Sequence, residues 1–303
     1  MSHLLVTGSS GTVGTMISRR LLNCGHHVVG LDRHPNPFDE EVATCTKIID
    51  LREKNQILNK LPKNLDAIIH LAGNARVPHS VEDPSLARDN FESTFNILEF
   101  ARQNTIPRFI FASSKDVYGN SVDTSEDSVR IDLCESPYAA SKIASEALVF
   151  AYHASYDLEF SILRLSNVYG RYSEKDRVIP IFIRLCAENR PISVHGAEKR
   201  LDFIHADDLL SAFDLVLNRR EESKNKVFNV ASGEGVSLLE IAEQIRSAMK
   251  TKTELKVSQS RAGDVVESVS DISLIKSTLG FHPMVPFETG LQSEIDQFTP
   301  TAE

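Results

Sequence analysis

Thr7-Gly8-Ser9-Ser10-Gly11-Thr12-Val13-Gly14 follows the apolar run Leu4-Leu5-Val6 and opens a helical pattern that continues through Ile17 and Leu21-Leu22. Its three glycines have separate tasks. Gly8 permits a tight exit from a strand, Gly11 lets the backbone approach a pyrophosphate, and Gly14 lets the helix close onto the sheet. The helix N-terminus, with Thr12 and Val13 in its first turn, then offers free N–H groups and a partial positive charge. Chance places only about 0.03 such windows in a chain of this glycine content, so a dinucleotide turn outweighs a bare tight turn. Asp32 stands 18 residues beyond Gly14 at the end of the next strand. A carboxylate there accepts hydrogen bonds from an adenosine ribose and repels a 2′-phosphate, which favours NAD over NADP. The adjacent Arg33 pulls the other way, since a guanidinium can hold that phosphate.

Outward from this turn, strand-length apolar runs alternate with helical patterns. Val28 to Leu31, Lys47 to Ile49, Ala67 to Leu71, Phe109 to Ala112 and Phe160 to Leu163 read as strands. Helices are expected near 85–103 and 137–155. Such alternation is what a parallel sheet covered on both faces requires, so the class is α/β with a Rossmann-type doubly wound parallel sheet. After Asn167 the rhythm loosens. Val178 to Cys186 and Asp207 to Asn218 read as helices, Ile192 to Val194 and Phe228 to Val230 as strands, and Ser237 to Met249 as a helix with a Ser237/Glu240 capping box. The expected organisation is a dinucleotide domain over residues 1–166, to which 206–231 returns, and a smaller α/β substrate-binding lobe from 167–205 and 232–303.

Composition bounds the partners. At 303 residues with 41% hydrophobic and 25% charged content, the chain is an ordinary soluble globular protein. Lys plus Arg total 33 against 42 acids, a net charge of −9, which disfavours nucleic acid and anionic membrane surfaces. A phosphate ligand must therefore be held by local devices. The four cysteines are scattered without zinc spacing, and no segment reads as a signal peptide or membrane span; a cytoplasmic location is expected. His26-His27 and His205-Ala206-Asp207-Asp208 lack metal-site spacing, and Asp207-Asp208 reads as the cap of the helix that follows. No metal is expected.

Tyr138 and Lys142 stand four apart on an expected helix and share a face. A neighbouring ammonium stabilises phenolate, although about 0.3 such pairs arise by chance in a chain of this kind. Ser113-Ser114 adds weight, because it ends a sheet strand where open α/β sheets place their ligand crevice. Ser114 can hydrogen-bond the hydroxyl that Tyr138 deprotonates. Serine, tyrosine and lysine at the mouth of a dinucleotide fold make a hydride-transfer site.

With these residues assembled, the chain resembles an extended short-chain dehydrogenase/reductase of the NAD-dependent epimerase/dehydratase family, the UDP-glucose 4-epimerase-like enzymes that act on nucleotide sugars. The matching segments include Asp50-Leu51, His70 to Gly73, Asn90, Ser113 to Gly119, Pro137 to Lys142, Arg164 to Gly170, Arg200 to His205 and Leu279 to Pro283. The resemblance implies NAD as cofactor, with Asp50 and Leu51 flanking the adenine, Leu71, Ala72 and Gly73 lining the cofactor, and Asn90 and Ser113 also on the cofactor side. It implies Tyr138 as base, Lys142 as the group that lowers its pKa and binds ribose, and Ser114 as donor to the substrate hydroxyl. Asn167, Arg200 and Arg261 are implied at the nucleotide diphosphate, where the two guanidinium forks supply the local attraction the net charge demands. Family dehydratases carry Asp-Glu after the Ser/Thr, whereas Lys115 and Asp116 stand here. That favours a 4-epimerase over an ordinary dehydratase and leaves decarboxylase, reductase or unusual dehydratase chemistry as the alternative, with a non-catalytic NAD(H) sensor behind both. Lys115 can equally contact a carboxylated or acetamido sugar. A homodimer is also implied, through the helices near 85–103 and 137–155, with Phe91, Phe95, Leu98, Ala144, Leu148 and Ala151 as apolar positions; internal packing of these helices is the alternative.

Overall fold

A computed structural model describes residues 1–173, 175–197, 199–258 and 267–298. Leu4, Leu5 and Val6 are all buried, as a strand covered on both faces must be. They lie in β1 (His3–Thr7), which leads through the glycine turn into α1 (Thr12–Asn23) and β2 (His27–Asp32). There follow α2 (Glu40–Cys45), β3 (Thr46–Ile48), α3 (Lys54–Lys60), β4 (Ala67–His70), α4 (Val77–Glu82), α5 (Ser85–Gln103), β5 (Arg108–Ser114), α6 (Pro137–Tyr156) and β6 (Glu159–Leu165). The chain continues through β7 (Asn167–Tyr169), α7 (Val178–Ala187), β8 (Ile192–His195), β9 (Arg200–His205), α8 (Ala206–Asn218), α9 (Arg220–Ser223) and β10 (Lys226–Val230). It ends in β11 (Gly235–Ser237), α10 (Leu238–Ala248), β12 (Leu255–Ser258), β13 (Glu267–Ser268), α11 (Ser273–Leu279) and α12 (Phe287–Phe298).

Seven strands pair in the order β10-β6-β5-β4-β1-β2-β3, every neighbour parallel. The winding reverses between β1 and β4. A crevice must open there, beyond Thr7 and His70, because the connections leave toward opposite sides. One face is covered by Ile17 and Leu21 of α1, Leu209 and Phe213 of α8 and Ile275 of α11. The other face is covered by Ile57 of α3, Ile97 and Phe100 of α5 and Val149 of α6. A third apolar cluster, with Ile179 and Ile183 of α7, Ile241 and Ile245 of α10 and Leu291 and Ile295 of α12, carries the small sheets. There β9 pairs with β7, β11 and β13, and β8 with β12.

Three expectations are corrected. The third strand is Thr46–Ile48, not 47–49: Ile49 turns into the core at 2% exposure while its N–H still reaches the Asp32 carbonyl at 2.8 Å. The cap of α8 is His205, whose Nδ1 accepts from the Asp207 N–H at 3.2 Å, since its backbone is still extended. Asp207 and Asp208 occupy the first helical turn, where their charge suits the helix dipole, and Asp208 accepts from the Met284 and Val285 N–H groups. Leu98 is fully buried on the sheet-facing side of α5, so it cannot contribute to an outer apolar face. Phe91 and Phe95, each 39% exposed, and Phe150 do lie on the outside of α5 and α6. Among the described residues no helix is long and apolar enough to cross a membrane.

Candidate active site

The phosphate turn is shaped by backbone contacts that only glycine tolerates. Gly8 has φ +72°, and a Cβ there would lie 2.8 Å from the Ala72 nitrogen; one at Gly14 would lie 1.9 Å from the Gly8 carbonyl oxygen. Gly11 caps α1 without a side-chain bond, and the first turn holds no acid. The N-terminal N–H groups of α1 therefore meet a cleft of about 400 Å³ that Gly8, Ser10, Gly11, Asp32, Asp50 and Asn90 help to line. A helix start of this kind, with no side-chain cap, suits a pyrophosphate.

At the rim, Asp32 accepts from the Ser10 N–H at 3.0 Å and the His34 N–H at 2.9 Å, which fixes its carboxylate. Arg33 donates to Asn74 Oδ1 at 3.2 Å. Asp50 is gripped by Arg52 at 2.6 Å, and the same guanidinium reaches Asp89 at 2.8 Å. The hydrogen-bonded Arg52 holds the Asp50 carboxyl below the usual carboxylate range. Leu51, Leu71, Ala72 and Gly73 line this cleft as well. Asn90 accepts from the Asn74 N–H at 2.6 Å and donates to Ser141 Oγ at 3.2 Å, tying the loop after β4 to α6. Arg52 was not foreseen, because a lone arginine two residues past Asp50 carries no periodic or motif signal.

A second cavity of about 230 Å³ opens at the C-terminal ends of β5 and β6. Thr12, Val13, Ser113, Ser114, Lys115, Asp116, Tyr138, Lys142, Asn167 and Arg177 all border it. Tyr138 is 5% exposed and Lys142 6%, so water screens neither group well. Burial pushes the Tyr138 phenol above its ordinary value and the Asp116 carboxylate pushes it further; the neighbouring Ser114 hydroxyl and the Arg177 charge oppose them. Burial brings the Lys142 ammonium down to about 8, against the pull of Glu146. Lys142 Nζ donates to the Ala112 carbonyl at 2.7 Å and lies 4.8 Å from the centre of the Phe111 ring.

Ser114 Oγ donates to Asp116 Oδ2 at 3.1 Å and accepts from the Asp116 N–H at 3.2 Å. Lys115 Nζ reaches Asp116 Oδ1 at 3.1 Å and Ser268 Oγ at 3.0 Å. Ser113 Oγ is buried without a partner among the described residues, and Ser113 borders the cavity. Beneath the site, Glu146 and Arg164 form a buried two-pronged pair at 3.0 and 2.7 Å. Neutral His70, its ring held near 3 by burial, bonds Thr7 Oγ1 at 2.7 Å and Thr94 Oγ1 at 3.1 Å.

Of the expected substrate residues, Asn167 lies at the cavity and Arg200 stands apart from it. Asn167 donates to the Asp202 carbonyl at 2.7 Å while bordering the cavity. Arg200 bonds the Gly235 carbonyl, stands 3.6 Å from Glu240 and is not among the cavity walls. Arg261 lies outside the described residues. Arg177, at the start of α7, was missed because it belongs to no motif and reaches the site only through the turn that follows β7.

Residues 4–231 match the model of the NAD dependent epimerase/dehydratase family. A protein of Methanocaldococcus jannaschii named "Putative UDP-glucose 4-epimerase" is 31% identical, covering 97% of each chain. A UDP-glucuronate 4-epimerase of Thermodesulfobacterium geofontis is 26% identical, covering 98% of this chain and 96% of its own. The crystal structure of the UDP-glucose 4-epimerase of Thermus thermophilus in complex with NAD superposes with a TM-score of 0.87 at 28% identity, over 99% of this chain and 100% of that one.

Proposed function

Because the chain belongs to the NAD-dependent epimerase/dehydratase family, we propose that it is a nucleotide-sugar 4-epimerase that inverts C4 of a UDP-hexose through a transient 4-keto sugar. The observation that carries this reading is the convergence of Ser114, Tyr138 and Lys142 on one cavity beside the glycine turn. Bound NAD supplies the acceptor and donor for the C4 hydride. Tyr138 takes the proton of the C4 hydroxyl as C4 loses its hydride, and it returns the proton to O4 once the keto sugar has turned over. Lys142, protonated below about pH 8, favours the phenolate through its charge. Ser114 hydrogen-bonds the same sugar oxygen and must let go of Asp116 to donate to it. Gly11 and the first turn of α1 hold the cofactor pyrophosphate, Asp32 its ribose, and Asp50 and Leu51 its adenine; Asn167 serves the substrate from the cavity border, and Arg200 must leave the Gly235 carbonyl to reach the diphosphate.

A second reading has an observation of its own. Asp116 places a carboxylate in the cavity, bonded to Ser114, and a 4,6-dehydratase or decarboxylase needs such an extra acid–base group. The test is to incubate the protein with NAD and UDP-glucose or UDP-glucuronate and follow the sugar by proton NMR and mass. Epimerisation inverts the C4 coupling at constant mass, whereas loss of water or carbon dioxide favours the second reading. A homodimer through α5 and α6 is supported by the exposed Phe91, Phe95 and Phe150; a monomer in light scattering at micromolar concentration discards it.

A further inference from the structure

The Asp116 carboxylate has two oxygens and, among the described residues, two side-chain partners. Oδ2 accepts from Ser114 Oγ at 3.1 Å, and Oδ1 accepts from Lys115 Nζ at 3.1 Å. The same ammonium donates to Ser268 Oγ at 3.0 Å. Ser268 belongs to β13, where it pairs with Leu201 of β9, so the ammonium is anchored on the small sheet as well as on the catalytic turn. Ser114, Lys115 and Asp116 all border the cavity with Tyr138. At 15% and 31% exposure, the Lys115 and Asp116 side chains are largely out of water.

Ser114 has one hydrogen to donate. At rest that hydrogen goes to Asp116, a charged acceptor that holds it more strongly than a neutral oxygen does. The sugar oxygen on which Tyr138 works needs the same hydrogen, and giving it up leaves Asp116 Oδ2 without its donor. A largely buried carboxylate deprived of a partner resists that exchange. Lys115 relieves the resistance. An ammonium carries three hydrogens; Asp116 Oδ1 and Ser268 Oγ take two, and the third is left for Oδ2 as Ser114 turns. With an apolar side chain at position 115, Ser114 would be the only side-chain donor to this carboxylate among the described residues.

We infer that Lys115 is a positioning residue: it keeps hold of the Asp116 carboxylate so that Ser114 can turn its hydroxyl to the sugar oxygen at Tyr138. This rests on the nucleotide-sugar reading above but not on the direction of the chemistry at C4.

Binding decides it without turnover. The NAD-loaded protein and its Lys115→Met, Lys115→Arg, Asp116→Asn and doubly substituted Lys115→Met/Asp116→Asn variants are titrated by calorimetry with UDP-glucose and with UDP, which brings no sugar to Ser114. One hydrogen bond to the sugar is at stake, equivalent to roughly 2- to 10-fold in affinity. Lys115→Met weakens UDP-glucose by that factor and leaves UDP unchanged, and Lys115→Arg keeps most of the wild-type affinity. In the Asp116→Asn background Lys115→Met has no further effect, because a neutral amide no longer grips Ser114. A loss on UDP-glucose of the same size in both backgrounds shows Lys115 acting on the sugar by itself and overturns the inference, as does an equal loss on both ligands or no loss at all. Variants that bind in the expected pattern while the wild type inverts no sugar keep the inference and discard the epimerase; C4 inversion without the pattern does the reverse.

Discussion

Tyr138 stands between opposed charges, with Asp116 raising its pKa and Arg177 lowering it. The sign of the pH dependence follows. Replacing Asp116 by Asn removes the carboxylate that disfavours phenolate, so the acid limb of kcat/KM moves to lower pH; a limb that stays in place contradicts the assignment. The ammonium of Lys142 is lost above about pH 8, below the range in which the raised Tyr138 phenol ionises, so the rise of activity with pH levels off there. Lys142→Met removes that break and lowers kcat by roughly 10²- to 10⁴-fold, which a stopped assay across the alkaline range reads directly. The i,i+4 spacing of Tyr138 and Lys142 made them legible in sequence, because one turn of helix dictates their neighbourhood. Arg177 and Arg52 act across folds of the chain, where spacing carries no information.

The elements divide by length. The helices α5, α6, α8 and α10 were legible because each holds several turns of apolar periodicity, and α10 carries the capping box that Ser237 and Glu240 announced. The six- and seven-residue helices α2, α3 and α4 escaped because two turns or fewer leave no period to detect. Inside α6, Glu146 pairs with Arg164 of β6 out of water, at 4% and 3% exposure. Glu146→Ala leaves an uncompensated buried guanidinium, and the expected loss in a urea titration is about 3–5 kcal/mol; a loss below roughly 1 kcal/mol contradicts the burial of that pair. In α1, Gly14→Ala drives a methyl into the Gly8 carbonyl, so the variant loses retained dinucleotide as well as stability.

For the whole molecule, the alternation of short apolar runs with helices sufficed for the doubly wound sheet, since a parallel strand buried on both faces leaves that signature. The smaller sheets were less legible: β11 and β13 have three and two residues, and their partner β9 is distant in sequence. His70 joins the two levels. Its ring is neutral in the fold, held near 3, while the unfolded chain takes up a proton near 6.5. Stability is therefore full above 6.5 and falls as the pH drops toward 3, by up to about 1.4 kcal/mol per unit from this group. Thermal melts at a series of pH values between neutrality and about 4 show that slope, and His70→Gln flattens it.

The central claim is that Tyr138 moves the proton at O4 while the cofactor is held independently of it. The most direct measurement compares wild type with Tyr138→Phe, reading C4 inversion of UDP-glucuronate and UDP-glucose by proton NMR and the dinucleotide released on denaturation from the same samples. The expected result is inversion by the wild type, a loss of roughly 10²-fold or more in the variant, and equal NAD in both. A variant that inverts C4 at the wild-type rate contradicts it.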